Sequence, residues 1–193
     1  MTPSSDSNNN YNFKDAQTSA RSLIPLIALH GENLVGAEIG VCRADNFLTL
    51  LHNCPNIKTL YGVDSYKPYV DFLVPGSVNH READECKAIA ELRRKYSGCE
   101  EKIIFYEEDS IAAAERIEDE SLDFVFLDAY LSYEQVVREL FAWYPKVKNG
   151  GLVSGHDWVC EDVQLAVRQF RDKLKIEDKF STYDNVWAWY RYR

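Results

Sequence analysis

The sequence predicts an α/β fold: a doubly wound sheet, mostly parallel, with an antiparallel C-terminal strand. Short apolar segments alternate with helical segments from residue 35 to residue 174, an order that builds a parallel sheet covered on both faces. The final stretch breaks this order, because 180–182 and 186–190 read as strands joined by an Asp184-Asn185 turn. Acids also stand at or just past the ends of four successive strands. In open sheets of this kind, ligands bind beyond the carboxyl ends of the strands.

The elements follow in order. Residues 1–12 are polar, with nothing to bury, and read as a tail before a domain spanning 13–193. Ala16, Ala20, Leu23, Ile24, Ile27 and Ala28 suit one face of a helix over 14–30, which Pro25 kinks or breaks. Strands are expected at 35–39, 59–63, 102–106 and 122–127. The fourth (Leu-Asp-Phe-Val-Phe-Leu) is apolar enough to be central. A fifth begins at Gly151, after an Asn149-Gly150-Gly151 turn. Helices are expected at 45–52, 81–96, 111–117, 133–144 and 163–174, the one at 133–144 ending before Pro145. Residues 66–80 form a long aperiodic connection, either a lid over a substrate or a plain loop.

With 193 residues, 46% of them hydrophobic, the chain suits one domain with a sizeable core. A net charge of -9 opposes binding to duplex nucleic acid. The one basic run, Arg93-Arg94-Lys95, reads as a solvated helix face among glutamates. Five scattered cysteines form no CxxC pair, so reduced, mostly buried thiols are expected. No apolar run reaches the ~18 residues of a membrane span. A cytoplasmic protein is expected, with a small-molecule partner, no nucleic acid or membrane, and a homo-oligomer left open.

Strand one ends Glu38-Ile39-Gly40-Val41-Cys42-Arg43-Ala44. It lacks the Gly-x-Gly-x-x-Gly of a dinucleotide site, which opposes a nicotinamide-dependent oxidoreductase. Gly40 admits a ligand close to the backbone, and Glu38 places negative charge suited to a cation. Asp64, beside Ser65, can take both hydroxyls of a ribose, near the ~20-residue spacing of a ribose acid. Asp109 can accept from an adenine amino group, and it or Ser110 can also cap the helix that follows. Asp128 ends strand four. Tyr66, Tyr69, Phe72, Tyr130 and Trp158 lie on loops that would rim a pocket, where rings stack on adenine. Trp143, Tyr144, Trp187 and Trp189 read as core.

On Glu38-Ile39-Gly40, Tyr61-Gly62-Val63-Asp64, Asp109-Ser110, Phe126-Leu127-Asp128 and the Gly150-to-Trp158 segment ending Gly-His-Asp-Trp, the sequence resembles the class I S-adenosylmethionine-dependent methyltransferases. It is most similar to their small O-methyltransferase-like subgroup. The resemblance spans about 35–190. It implies a Rossmann-like, seven-stranded sheet with the last strand inserted antiparallel, and S-adenosylmethionine at Glu38, Gly40, Asp64, Ser65, Asp109, Ser110, Asp128 and Tyr130. It also implies Asp128 and Asp157 as ligands of a divalent ion such as Mg²⁺ in metal-dependent relatives. Two positions depart from the subgroup: Leu131 stands where it carries histidine, and Ala44 where it carries glycine.

Methyl transfer from a sulfonium needs alignment and water exclusion. A hydroxyl acceptor also needs its proton removed. His156 and Asp128 are the catalytic candidates: His156 acts as a base, or Asp128, His156 and Asp157 hold a metal ion. Alternatively His156 and Asp157 only cap the helix near Asp162. The expected function is O-methylation of a small molecule. The alternative is a nucleoside-binding module without catalysis, motivated by Leu131.

Overall fold

The computed structural model describes residues 18–68 and 80–192. The proposed tail, the start of the first helix and most of the 66–80 connection, with Tyr69, Phe72, Pro75 and Gly76, lie outside the described residues. Where a helix kinked or broken at Pro25 is expected, a 3-10 turn (Ser19–Ser22) is followed by α1 (Ile24–Ala28). Pro25 sits in the first turn of α1, where its missing N–H costs nothing.

Seven strands follow: β1 (Leu34–Ile39), β2 (Ile57–Val63), β3 (Ile103–Tyr106), β4 (Leu122–Leu127), β5 (Val147–Gly155), β6 (Phe180–Tyr183) and β7 (Val186–Tyr190). Between them run α2 (Asp45–Asn53), α3 (His80–Lys95), α4 (Ser110–Ala114), α5 (Tyr133–Trp143) and α6 (Glu161–Leu174). The sheet order is β3-β2-β1-β4-β5-β7-β6. β1 through β5 pair in parallel, and β7 is antiparallel to both β5 and β6. The Rossmann-like sheet with its inserted last strand is therefore present. Chain order reverses between β1 and β4, so the binding crevice opens at their carboxyl ends.

Strand alternation divides the core into two layers. Phe124, Phe126, Val186 and Ala188 face one layer with Phe47, Leu48 and Leu50 of α2. Ala37, Ile39, Val125, Trp187 and Trp189 face the other, with Val136, Leu140 and Trp143 of α5 and Val163, Val167 and Phe170 of α6. Trp143, Trp187 and Trp189 are buried, as the sequence suggests.

Two expectations need correction. Asn149-Gly150-Gly151 lies inside β5, not before it. Gly150 has φ +84 and the β4–β5 register shifts here, so the glycines make a bulge. The basic run is only partly a solvated face: Lys95 is exposed, but Arg93 and Arg94 are half-buried. Arg93 binds Asp45 at 2.8 Å and the Arg43 carbonyl at 2.9 Å, and the Arg94 guanidinium stacks 3.5 Å from the Phe105 ring centre. Apolar stems and a planar head let arginine pack where sequence shows only charge.

Candidate active site

A cavity of about 210 Å³ opens at the carboxyl ends of β1, β2, β3 and β4. Seven of the expected binding residues line it: Gly40, Asp64, Ser65, Asp109, Ser110, Asp128 and Tyr130. Glu38, His156 and Asp157 are not in this lining.

The floor is set by Gly40. Its φ is +88, and an added Cβ would lie 2.1 Å from the Asp128 carbonyl oxygen. Only glycine lets β1 turn this tightly against the end of β4. The next residues climb into α2 through two more left-handed positions, Cys42 (φ +45) and Ala44 (φ +64). Ala44 therefore holds a backbone conformation that ordinarily favours glycine. Asp64 organises this loop: Oδ2 accepts the amides of Val41 (3.0 Å) and Cys42 (2.8 Å), and Oδ1 accepts that of Tyr66 (2.8 Å). A carboxylate offers about four lone-pair positions. With three taken, about one position on Asp64 is left for a further donor.

Glu38 is 1% exposed, and its Oε2 has no hydrogen-bond partner among the described residues. Burial, and then the charges of Asp128, Asp64 and Asp45, push its carboxyl well above the usual range. It is placed beside the cavity's acids and is not a wall residue.

Asp109 caps α4, its Oδ1 accepting the amides of Ile111 (3.0 Å) and Ala112 (3.3 Å). Those two bonds leave Oδ2 for a ligand, so capping and binding are compatible. On the α3 side, Cys42 and Cys86 bring their Sγ atoms to 2.7 Å in the cavity wall. Burial and the neighbouring thiol push Cys42 up to about 12, which keeps it a poor nucleophile.

A second group gathers at the ends of β4 and β5. His156 Nδ1 lies 3.4 Å from Asp128 Oδ1 and 3.2 Å from Asp157 Oδ1. Asn46 of α2 donates to Asp128 Oδ2 (2.9 Å), and Asn185 of the β6–β7 turn donates to Asp157 Oδ1 (3.2 Å). Burial opposes charging of His156, but hydrogen bonds to Asp128 and Asp157 outweigh it and raise the imidazole to about 10. At neutral pH that favours the imidazolium, held between the two carboxylates. The capping alternative fails: Cys160 is the N-cap of α6, and no side chain caps it. One ligand atom from each of Asp128, His156 and Asp157 falls within 4.8 Å of the others. Asp157 holds φ +56, a left-handed conformation that costs a non-glycine residue.

Sequence reasoning missed Glu139. It is 2% exposed, lies on α5 and lines the cavity. Its Oε1 accepts from Ser110 Oγ (2.7 Å) and Gln135 Nε2 (2.9 Å). Burial raises its carboxyl to about 7, against those two hydrogen bonds. A signal was present: Val136, Glu139, Leu140 and Trp143 follow the i, i+3, i+4, i+7 spacing of a buried stripe, and an acid there needs a reason. Asn46 and Asn185 carried no such signal, since the fold alone brings them to the acids.

Residues 37–158 match a family described as a methyltransferase domain. No curated protein sequence matches the chain. Among solved structures, the O-methyltransferase NovP superposes with a TM-score of 0.67 at 21% identity, covering 89% of this chain and 80% of its own. A putative caffeoyl-CoA O-methyltransferase from Staphylococcus aureus gives 0.62 at 14%, covering 91% and 84%. A precorrin 8w decarboxylase from Methanobacterium thermoautotrophicum gives 0.62 at 17%, covering 91% and 89%. At these identities the likeness is one of fold.

Proposed function

The chain belongs to the methyltransferase-domain family and is an S-adenosylmethionine-dependent methyltransferase; we propose that its acceptor is a hydroxyl group of a small molecule. The observation that carries this reading is the Asp128–His156–Asp157 group beside the cavity. A hydroxyl nucleophile must lose its proton as the methyl moves, and this group supplies carboxylates for that at the correct end of the sheet.

The cavity suits the cofactor. Gly40 leaves the open backbone that a Cβ would fill, and its acids, with the unpartnered Glu38 oxygen behind them, favour a cationic ligand. When bound, the cofactor supplies a sulfonium methyl whose leaving group is already activated. Asp64 takes one ribose hydroxyl while holding the β1–α2 loop. Ser65 borders the ribose, and Tyr130 covers the base. Asp109 and Ser110 meet the base edge. The acceptor proton passes to Asp128 or Asp157, with His156 as a fixed positive charge between them.

Asp128, Asp157 and, once a metal ion displaces its proton, His156 are also a donor set that fits a divalent ion such as Mg²⁺ or Mn²⁺. An ion there would lower the pKa of the acceptor hydroxyl. No helix among the described residues is long and apolar enough to cross a membrane.

The test has two stages. Calorimetry with S-adenosylhomocysteine is expected to show saturable binding; no heat at millimolar ligand overturns the cofactor assignment. Methyl-labelled cofactor is then offered with phenols, sugar hydroxyls, amines and carboxylic acids, with Mg²⁺ or with EDTA. Label appearing only on nitrogen or carboxylate would overturn the hydroxyl assignment.

A further inference from the structure

Glu139 is the one acid of the cavity that comes from α5, and its bonding is asymmetric. Oε1 accepts both the Ser110 hydroxyl and the Gln135 amide nitrogen, and the same Gln135 nitrogen also donates to Ser110 Oγ at 3.2 Å. The Gln135 carbonyl oxygen accepts from Arg138 at 3.3 Å. The side-chain donors of Ser110 and Gln135 are thus consumed within the triad. Oε2 of Glu139 makes no hydrogen bond among the described residues, although the side chain lines the cavity. Beside it, Asp109 keeps Oδ2 free of its capping bonds. With the Glu139 carboxyl ionised, above about pH 7, this corner presents acceptors only: Glu139 Oε2, Asp109 Oδ2 and a remaining lone pair of Ser110 Oγ.

A ligand group that fits such a corner must donate, and more than once. The corner's place in the sheet says which group. Gly40 ends β1, Asp64 follows β2 and Asp109 follows β3. These strands are neighbours in that order, about 4.8 Å apart. The backbone-open end is at β1, the ribose acid lies one strand away, and the acceptor corner lies two strands away. A nucleoside running along this line brings its base, not its amino-acid end, to Glu139.

We propose that Glu139 is a specificity-determining residue: with Asp109 and Ser110 it receives the exocyclic amino group of a 6-aminopurine and rejects a 6-oxopurine. The assignment rests on the cofactor reading above. A 6-oxo group would set a lone pair against three acceptors. A buried polar group left unmatched discriminates far more strongly than a missing apolar contact. Glutamine at this position would satisfy Ser110 and Gln135 equally well without burying a carboxyl group, so packing alone does not call for the acid.

The test uses the full chain at about pH 8.5, where the Glu139 carboxyl is ionised, and three ligands: S-adenosylhomocysteine, S-inosylhomocysteine and 5′-methylthioadenosine. Wild type is expected to prefer the adenosyl over the inosyl compound by at least about 100-fold. Glu139→Gln places an amide donor in the corner and is expected to cut that preference by about 10-fold or more. The loss of adenosyl affinity should persist with 5′-methylthioadenosine, which lacks the ammonium group. Glu139→Asp, which withdraws the carboxylate by one methylene, makes the same comparison should the amide variant not fold. A folded variant that keeps the wild-type preference overturns the assignment. So does an affinity loss that vanishes with 5′-methylthioadenosine, because the contact would then be to the ammonium group. Wild type that binds none of the three overturns the cofactor reading, and this assignment with it.

Discussion

Asp64 Oδ2 lies 2.8 Å from the amide nitrogen of Cys42 and accepts its hydrogen. The acid that ends β2 therefore fastens the loop that leaves β1, as well as facing the cavity. Asp64→Ala is expected to weaken S-adenosylhomocysteine binding by about 2 kcal/mol, for loss of a charge-assisted bond. It should also lower unfolding stability by about 1–2 kcal/mol, since three amides lose their acceptor. Calorimetry and urea denaturation of the same variant separate the two effects. Weakened binding with unchanged stability would show that water replaces Asp64 at the loop.

Gly40→Ala is a sharper test of the cavity floor. The new Cβ would meet the Asp128 carbonyl oxygen at 2.1 Å, in a backbone with φ +88. Overpacking and left-handed strain together are expected to cost about 2–4 kcal/mol. The strand end must also shift, so cofactor affinity falls with stability. Thermal unfolding and calorimetry check both, and a variant as stable as wild type would contradict the tight β1–β4 approach.

Glu139 gives stability a pH dependence of known sign. Burial raises its carboxyl from 4.5 to about 7 in the folded chain. The folded state therefore holds this proton at pH values where the unfolded chain has released it. Its contribution is fully present below about 4.5 and is lost as pH rises through about 7. The total is about 3 kcal/mol at 1.36 kcal/mol per pH unit. Asp109, Ser110, Gln135 and Arg138 act on the same carboxyl, and Asp128, Tyr130 and His156 line the cavities it borders. Denaturation of wild type and Glu139→Gln at pH 5 and pH 8 isolates its share. The variant is expected to gain on wild type as pH rises, and parallel curves would refute the raised pKa.

Asp157→Asn addresses the second group. Asparagine tolerates the left-handed backbone found here, so the melting temperature should stay within about 2 °C of wild type. Turnover is expected to fall at least about 100-fold, the low end for a lost proton-transfer group. S-adenosylhomocysteine affinity should hold within about twofold, because Asp157 is outside the cavity lining. Undiminished turnover would remove Asp157 from the chemistry.

Much of this protein was legible in its residue order. Strand and helix segments alternate with a period that reports which side chains meet the core. Each strand-end acid is placed by the strand it terminates, so Asp64, Asp109 and Asp128 could be read directly. The asparagine turn at 184–185 announced the closing hairpin. Element limits near Gly150 and Pro25 were less readable, because a bulge and a first-turn proline use the same residues as a turn and a kink.

Local pattern established the parallel sheet, the edge along which the acids stand and the backbone opening at Gly40. Those features depend on periodicity and on conformations that single residues permit. Packing across the fold settled how the acids are used. It occupies most of Asp64 with loop amides, holds His156 between Asp128 and Asp157, and turns Glu139 inward from α5 to meet Ser110. Each of these states arises from groups far apart in the chain that share one desolvated space. Partners of that kind set a carboxylate's free lone pairs and its proton affinity, and no local window of sequence contains them.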